Sequence, residues 1–357
     1  MARTGITNLP LHGGKAPKWL FDKMVELSEQ LIYLLVLEYS QDGFLKKLSD
    51  PFWFQSFGCL LGFDWHSSGL TTTVCGALKV ALNNGISSEL GVFAAGGKGK
   101  TAIKTPDEID IVSGRFSLDG DRLKYASKMA AKVDNAALQD GYRLYHHVIF
   151  FTKNNRWCVI QQGLNDKTSF ARRYHWLWDI ESFTEEPHKA ICSQKKEGLV
   201  LDLTAKESLN TQKDSVEFLN MPANIIEKEL NDIAYLDMPK RHYITTMDFD
   251  VKRLKRVLLR ISHESPNTFE KLLGIRGVGE KTLRALSLIS EVVYGDKPSY
   301  KDPARFSFAH GGKDGHPYPV NLEVYSESIE TLKSIVSKAK IGYYDKVKAL
   351  KRLSRLI

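Results

Sequence analysis

Apolar positions recur at helical spacing over residues 20–39, where Leu20, Met24, Leu27, Leu31, Leu34 and Leu35 share a face after Pro17. Residues 122–139, rich in alanine and lysine, predict a second helix. The pattern then changes. HHVIFFT and RWCVIQQ are apolar stretches separated by Lys153, Asn154 and Asn155, which predicts a β-hairpin. LVLDL at 199–203 predicts a short buried strand, and GFDWHSSG reads as a loop in a mixed region that runs to about residue 90. Later in the chain the period is helical throughout: Leu254, Val257, Leu258 and Ile261; Ile329, Leu332, Val336 and Ala339; Val347, Leu350 and Leu353. Between these regions lies a polar stretch holding Pro222 and Pro239. The expected organisation is an α+β domain over 1–205, a connecting segment over 206–240, and an all-α domain over 241–357.

Charge sharpens this division. The 357 residues carry a net +8, but residues 241–357 hold 22 Lys and Arg against 13 Asp and Glu. The first 240 residues are therefore almost neutral, and the positive excess sits in the last third. A basic module on a neutral body suits a polyanionic partner. At 43% hydrophobic and 26% charged, the chain is not a disordered or low-complexity one. The longest apolar run, Leu31 to Leu37, is far short of the ~20 residues a membrane span needs. The start of the chain lacks a signal-peptide pattern, so a cytosolic protein without membrane contact is expected. Cys59, Cys75, Cys158 and Cys192 form no C-x-x-C pair and are expected to be buried thiols.

The most specific motif is TFEKLLGIRGVGEKTLRALSLI, from Thr268 to Ile289. It predicts a helix ending at Gly274, a tight turn in which Gly277 and Gly279 flank Val278, and a second helix from about Glu280. LLGIRGVGEKTLRAL resembles the helix-hairpin-helix DNA-binding motif. The resemblance implies that the amides of the turn hold a DNA phosphate, assisted by Lys281, Thr282 and Arg284; the free N–H groups at a helix N-terminus fit that role. Contacts of this kind position the backbone and do not read bases. Some members of that group are glycosylases with a Schiff-base lysine in G-V-G-x-K-T and an aspartate about twenty residues later. By that likeness Lys281 is the amine and Asp302, in YKDPARF, the carboxylate, with the departure that GDKPSYKDPARF does not follow the usual pattern.

The first two thirds hold polar and aromatic clusters around five histidines: His66, His146, His147, His175 and His188. Asp64, Asp134, Asp140, Gln161, Gln162, Arg172, Arg173 and Glu186 accompany them. Adjacent histidines on a strand point to opposite faces, so only one of His146 and His147 can enter a given pocket. A tight hairpin brings Gln161 or Gln162 beside them. Histidine, carboxylate and arginine together suit phosphodiester hydrolysis, with or without a divalent ion such as Mg or Mn. The candidate catalytic set is Asp140, His146, His147, Gln161, Arg172, Arg173 and His175. AAGGKGKT at 94–101 imitates a nucleotide phosphate loop, but Pro106 follows too soon for the required helix. A loop whose Lys98 and Lys100 hold a nucleic-acid phosphate, or a plain glycine-rich turn, fits better.

GFDWHSSGLTTTVCGALK, AAGGKGK followed by TPDEI, AAKVDNAALQDGYRLYHH, QQGLN, ARRYHW, EPHKAIC, LDLTAKES and FSFAHGGKDGHPYPV together resemble the archaeal and bacterial domain of unknown function 763 family. The likeness covers most of residues 1–320 and implies a prokaryotic setting and one body over 1–240. It carries no function. The residues themselves point to a DNA-processing enzyme, a structure- or lesion-specific repair nuclease. The alternatives are a glycosylase/lyase acting through Lys281 and a DNA-binding adaptor without catalysis.

Overall fold

The computed structural model describes residues 17–62, 69–193, 196–233, 251–304, 322–339 and 342–353. GFDWHSSG, with Asp64 and His66, lies mostly outside them. The architecture is mixed α/β. A five-stranded antiparallel sheet has the order β1-β3-β4-β5-β6, built from β1 (Val92–Lys98), β3 (Arg143–Thr152), β4 (Trp157–Asn165), β5 (Phe170–Leu177) and β6 (Ala190–Cys192). The predicted hairpin is β3–β4, with His147 opposite Gln161 and His146 opposite Gln162. A second small sheet pairs β2 (Leu138–Gln139) with β7 (Leu201–Asp202), inside the predicted LVLDL strand.

Helices cover both faces of the large sheet. On the first face, Ile149, Phe151, Val159, Tyr174 and Trp176 share a core with residues of α7 (Gly120–Lys132), α8 (Leu209–Leu219), α10 (Val251–His263), α11 (Phe269–Gly274) and α12 (Glu280–Ile289). On the second, Val148, Phe150, Cys158, Ile160 and Leu177 share a core with α1 (Lys18–Ser49), α2 (Pro51–Leu61), α3 (Gly69–Ala81), α13 (Leu322–Lys338) and α14 (Tyr343–Leu353). Burial on both faces explains why HHVIFFT is continuously apolar and lacks the alternation of a half-exposed antiparallel strand. Asp50 sets the start of α2: its carboxylate accepts from the amides of Phe52 and Trp53 at 2.8 and 2.9 Å, ahead of Pro51 in the first turn.

The structure differs from the sequence reading in several places. The first helix runs to Ser49, with a break at Ser40, whose φ is 67°. The helix predicted to 139 stops at Lys132, and a π-type turn leads into β2. Of the polar stretch expected as a connection over 206–240, residues 206–233 are folded into a 3-10 turn, α8 and α9 (Ala223–Ile233). A few apolar side chains suffice to hold them: Phe218, Leu219 and Ile226 are fully buried while the remaining polar surface faces water. The helices of the basic third divide between the two faces of the sheet, α10 to α12 on one and α13 with α14 on the other. All four cysteines are free and buried. No helix among the described residues is long and apolar enough to cross a membrane.

Candidate functional site

Strand register sorts the predicted residues onto two faces. His147, Gln161 and Tyr174 lie in one cross-strand row; His146, Gln162 and Arg173 lie in the neighbouring row, which faces the other way. In the first row a hydrogen-bonded chain starts on α7. Ser127 Oγ lies 2.7 Å from His147 Nε2, and His147 Nδ1 lies 2.8 Å from Gln161 Oε1. The amide Nε2 of Gln161 donates to Asp134 Oδ2 at 2.5 Å. Asp134 also accepts from Trp176 Nε1 at 3.0 Å and faces His188 Nε2 at 2.5 Å.

The acceptor-only carboxylate fixes the direction of every proton in the chain. Because Gln161 turns its amide nitrogen to Asp134, its oxygen faces His147, so Nδ1 of His147 carries the hydrogen. Nε2 is then the lone-pair nitrogen, and the Ser127 hydroxyl donates to it. Burial holds the His147 imidazole below its ordinary pKa, partly offset by the Gln161 hydrogen bond and the Asp134 charge. The ring is therefore neutral at pH 7 and presents a base to a serine hydroxyl.

Ser127 and His147 line a cleft of about 810 Å³. Lys124, Lys128 and Lys132 of α7 line it, as do Val278, Gly279 and Glu280 at the start of α12. Lys128 is exposed and has no carboxylate partner among the described residues. The turn is braced against α7: Lys132 Nζ donates to the carbonyls of Val278 at 2.6 Å and Ile275 at 3.2 Å. Burial, then the neighbouring Lys128, lowers the pKa of Lys132. Arg284 Nε donates to Gln139 Oε1 at 2.7 Å and its guanidinium pairs with Glu280, so it is held within the protein. Gly277 adopts φ +94°, and a Cβ there would lie 2.4 Å from Arg260 Nη2; at Gly279 a Cβ would meet nothing within 4 Å.

The other predicted residues lie elsewhere. Arg172 is fully buried and bridges two carboxylates, donating from Nη1 to Asp140 Oδ2 at 3.0 Å and from Nη2 to Asp302 Oδ2 at 2.7 Å. Tyr174 Oη donates to the same Asp140 oxygen at 2.7 Å. Burial lifts the Asp140 carboxyl to about 6 against the pull of Arg172 and the Tyr174 hydroxyl. Asp302 also accepts from the amides of Glu197 and Ala304. The predicted Lys281–Asp302 pairing thus meets an aspartate committed to Arg172, while Lys281 is exposed. Arg173 belongs to the opposite face: it donates to His175 Nε2 at 2.8 Å and Gln55 Oε1 at 3.0 Å, linking the sheet to α2. Both arginines are buried and hydrogen-bonded to internal partners. Gly274 closes α11, and Thr282 is buried in α12. Lys98 lies 5.6 Å from the Tyr145 ring, and Lys98 and Lys100 are exposed beside the cleft residue Gly99. No cluster of three or more His, Cys, Asp or Glu is arranged for a metal ion among the described residues.

Ser127 carries no motif in the sequence. The one local signal is a hydroxyl on the apolar face of α7, which also carries Leu123, Ala126 and Ala130. His146 also borders this cleft, against the expectation that only one of the two histidines would, but it is almost fully buried, with no hydrogen bond at either ring nitrogen. Burial, then the charges of His147 and Lys98, lowers its pKa to about 3. Between that value and about 6.5 the unfolded chain binds a proton that the folded chain refuses, so this residue destabilises the native state as pH falls through that window. His146→Leu is expected to stabilise the protein, by about 1–2 kcal/mol more at pH 5 than at pH 7. Thermal unfolding at the two pH values measures this; an equal gain at both would contradict it.

A family described as "Protein of unknown function (DUF763)" matches residues 5–320 of the chain. No curated protein and no solved structure matches it.

Proposed function

The chain belongs to the DUF763 family, whose description assigns no chemistry, and from the geometry of the site we propose that it binds DNA in the cleft and cleaves phosphodiester bonds there. The observation that carries this reading is the convergence of three features on one cavity: the α12 N-terminus, the lysines of α7 and the Ser127–His147 pair. In this reading α11, the turn and α12 act as a helix-hairpin-helix module. The first amides of α12 point their N–H groups and the positive end of the helix dipole toward a phosphate. Lys128 adds an unpaired charge beside it. His147, neutral and oriented by Gln161, is the general base. Structure- or lesion-specific repair is the setting, because contacts to phosphate alone give shape and not base sequence.

The test uses the full chain with intact, nicked, branched and abasic duplexes. A Cβ at Gly279 meets nothing within 4 Å, so Gly279→Leu is expected to direct its side chain into the cleft, with unchanged circular dichroism as the check that the fold survives. It is expected to weaken the gel shift at least tenfold. Lys128→Glu is expected to weaken binding to all sequences alike and to lower the slope of log affinity against log salt by about 1. Wild-type affinity in Gly279→Leu would overturn the assignment of this cleft.

A further inference from the structure

We infer that Ser127 is the nucleophile of this site, forming a covalent phosphoseryl ester with one side of the broken strand. This deepens the phosphodiester reading and rests on it for the substrate class. Two alternatives exist for the group that His147 deprotonates: a water molecule, or the hydroxyl already bonded to it. The geometry favours the hydroxyl. Ser127 Oγ lies 2.7 Å from the only basic nitrogen of His147, and the Gln161–Asp134 arrangement leaves that hydroxyl no role but donor. Nucleophile, base and orienting groups are thus in sequence, as covalent catalysis requires. Ser127 is nearly buried, on the rigid body of α7, yet lines the cleft.

The reaction balances in two steps. Ser127 Oγ bonds to phosphorus as the bond from phosphorus to the leaving nucleoside oxygen breaks. The hydroxyl proton passes to His147 Nε2 and then to the leaving oxygen. Water next attacks phosphorus and gives His147 a proton, while Ser127 Oγ departs and recovers it. The sum is one phosphodiester and one water giving a phosphomonoester and an alcohol. Asp134 stabilises the transient imidazolium through Gln161, and His188 and Trp176 hold Asp134 in place from the other side.

A probe without nucleic acid tests this apart from DNA binding. The full chain is treated with an alkyl fluorophosphonate at pH 7.5, and the adduct is located by tandem mass spectrometry. One adduct per chain is expected on Ser127. It should be absent in Ser127→Ala, and should form at least 100-fold more slowly in His147→Gln, with unchanged circular dichroism in both variants. A folded wild-type protein without a Ser127 adduct, or equal labelling of His147→Gln, would overturn the inference. So would DNA cleavage at the wild-type rate by Ser127→Ala, which would leave the DNA reading standing. Labelling of Ser127 in a protein that neither binds nor cuts any duplex would uphold the nucleophile and remove DNA as its substrate.

Discussion

Arg172→Met is expected to destabilise the protein by about 3–5 kcal/mol, the usual cost of removing one partner from a buried ion pair. Its side chain is 0% exposed, and each of its two carboxylate partners is 1% exposed. Without the guanidinium, Asp140 and Asp302 are two buried carboxylates left with the Tyr174 hydroxyl and backbone amides, their opposite charge removed. Asp140 is raised to about 6 even with Arg172 present, so it would take up a proton at neutral pH or admit water. The damage is not local to the sheet. Asp302 anchors the segment that adds to β7, where the amides of Val200 and Asp202 donate to the carbonyls of Tyr300 and Ser299. Urea unfolding measures the loss. The triple variant Asp140→Asn, Arg172→Met, Asp302→Asn should recover much of it, because the buried charges go together. A loss under about 1 kcal/mol in the single variant would show that this triad does not hold the segment.

His147→Ala is expected to lower strand cleavage by about 10²–10⁴-fold while leaving DNA affinity within about twofold, because a general base acts on the reacting atoms and not on the phosphate backbone. The pH profile gives the same residue a second signature. Burial depresses its pKa, so the neutral, active form persists below the range near 6.5 where an exposed imidazole titrates. Cleavage should therefore be flat through neutral pH and fall only on the acid side of that value. A rate that still climbs between pH 7 and 8 would assign the base to another group. Single-turnover cleavage from pH 4.5 to 8.5, read beside a gel shift at each pH, separates chemistry from binding.

Much of this arrangement is legible in the sequence, for identifiable reasons. The β3–β4 hairpin is written as two apolar runs around a short polar turn, which brings Gln161 or Gln162 beside the histidines; the observed register pairs His147 with Gln161 and His146 with Gln162. The α11–turn–α12 unit is marked by its glycines and by Thr268, whose hydroxyl caps α11. Arg172 and Arg173 are adjacent in the sequence, which suggests a shared role in holding phosphate. On a strand they must diverge, just as His146 and His147 do, and each finds its own internal partners. Those partners are distant in sequence, with Asp302 on a segment that no local pattern joins to β5. Ser127 is hidden for the opposite reason: a single serine in an alanine-rich helix looks like spacing, and only the tertiary fold shows that His147 lies across from it.

The far ends of the described chain meet: Lys338 of α13 pairs with Glu38 of α1 at 3.1 Å, and α13 and α14 share a core with α2, which is buried over its whole length. A ribosome releases β5 well before it makes Leu322, the first residue of α13. During that interval α2, with Trp53, Phe54 and Phe57, lacks part of its final cover and offers an oily surface to any neighbouring nascent chain. The cover of α2 is thus completed only once α13 and α14 have been made, long after the hairpin.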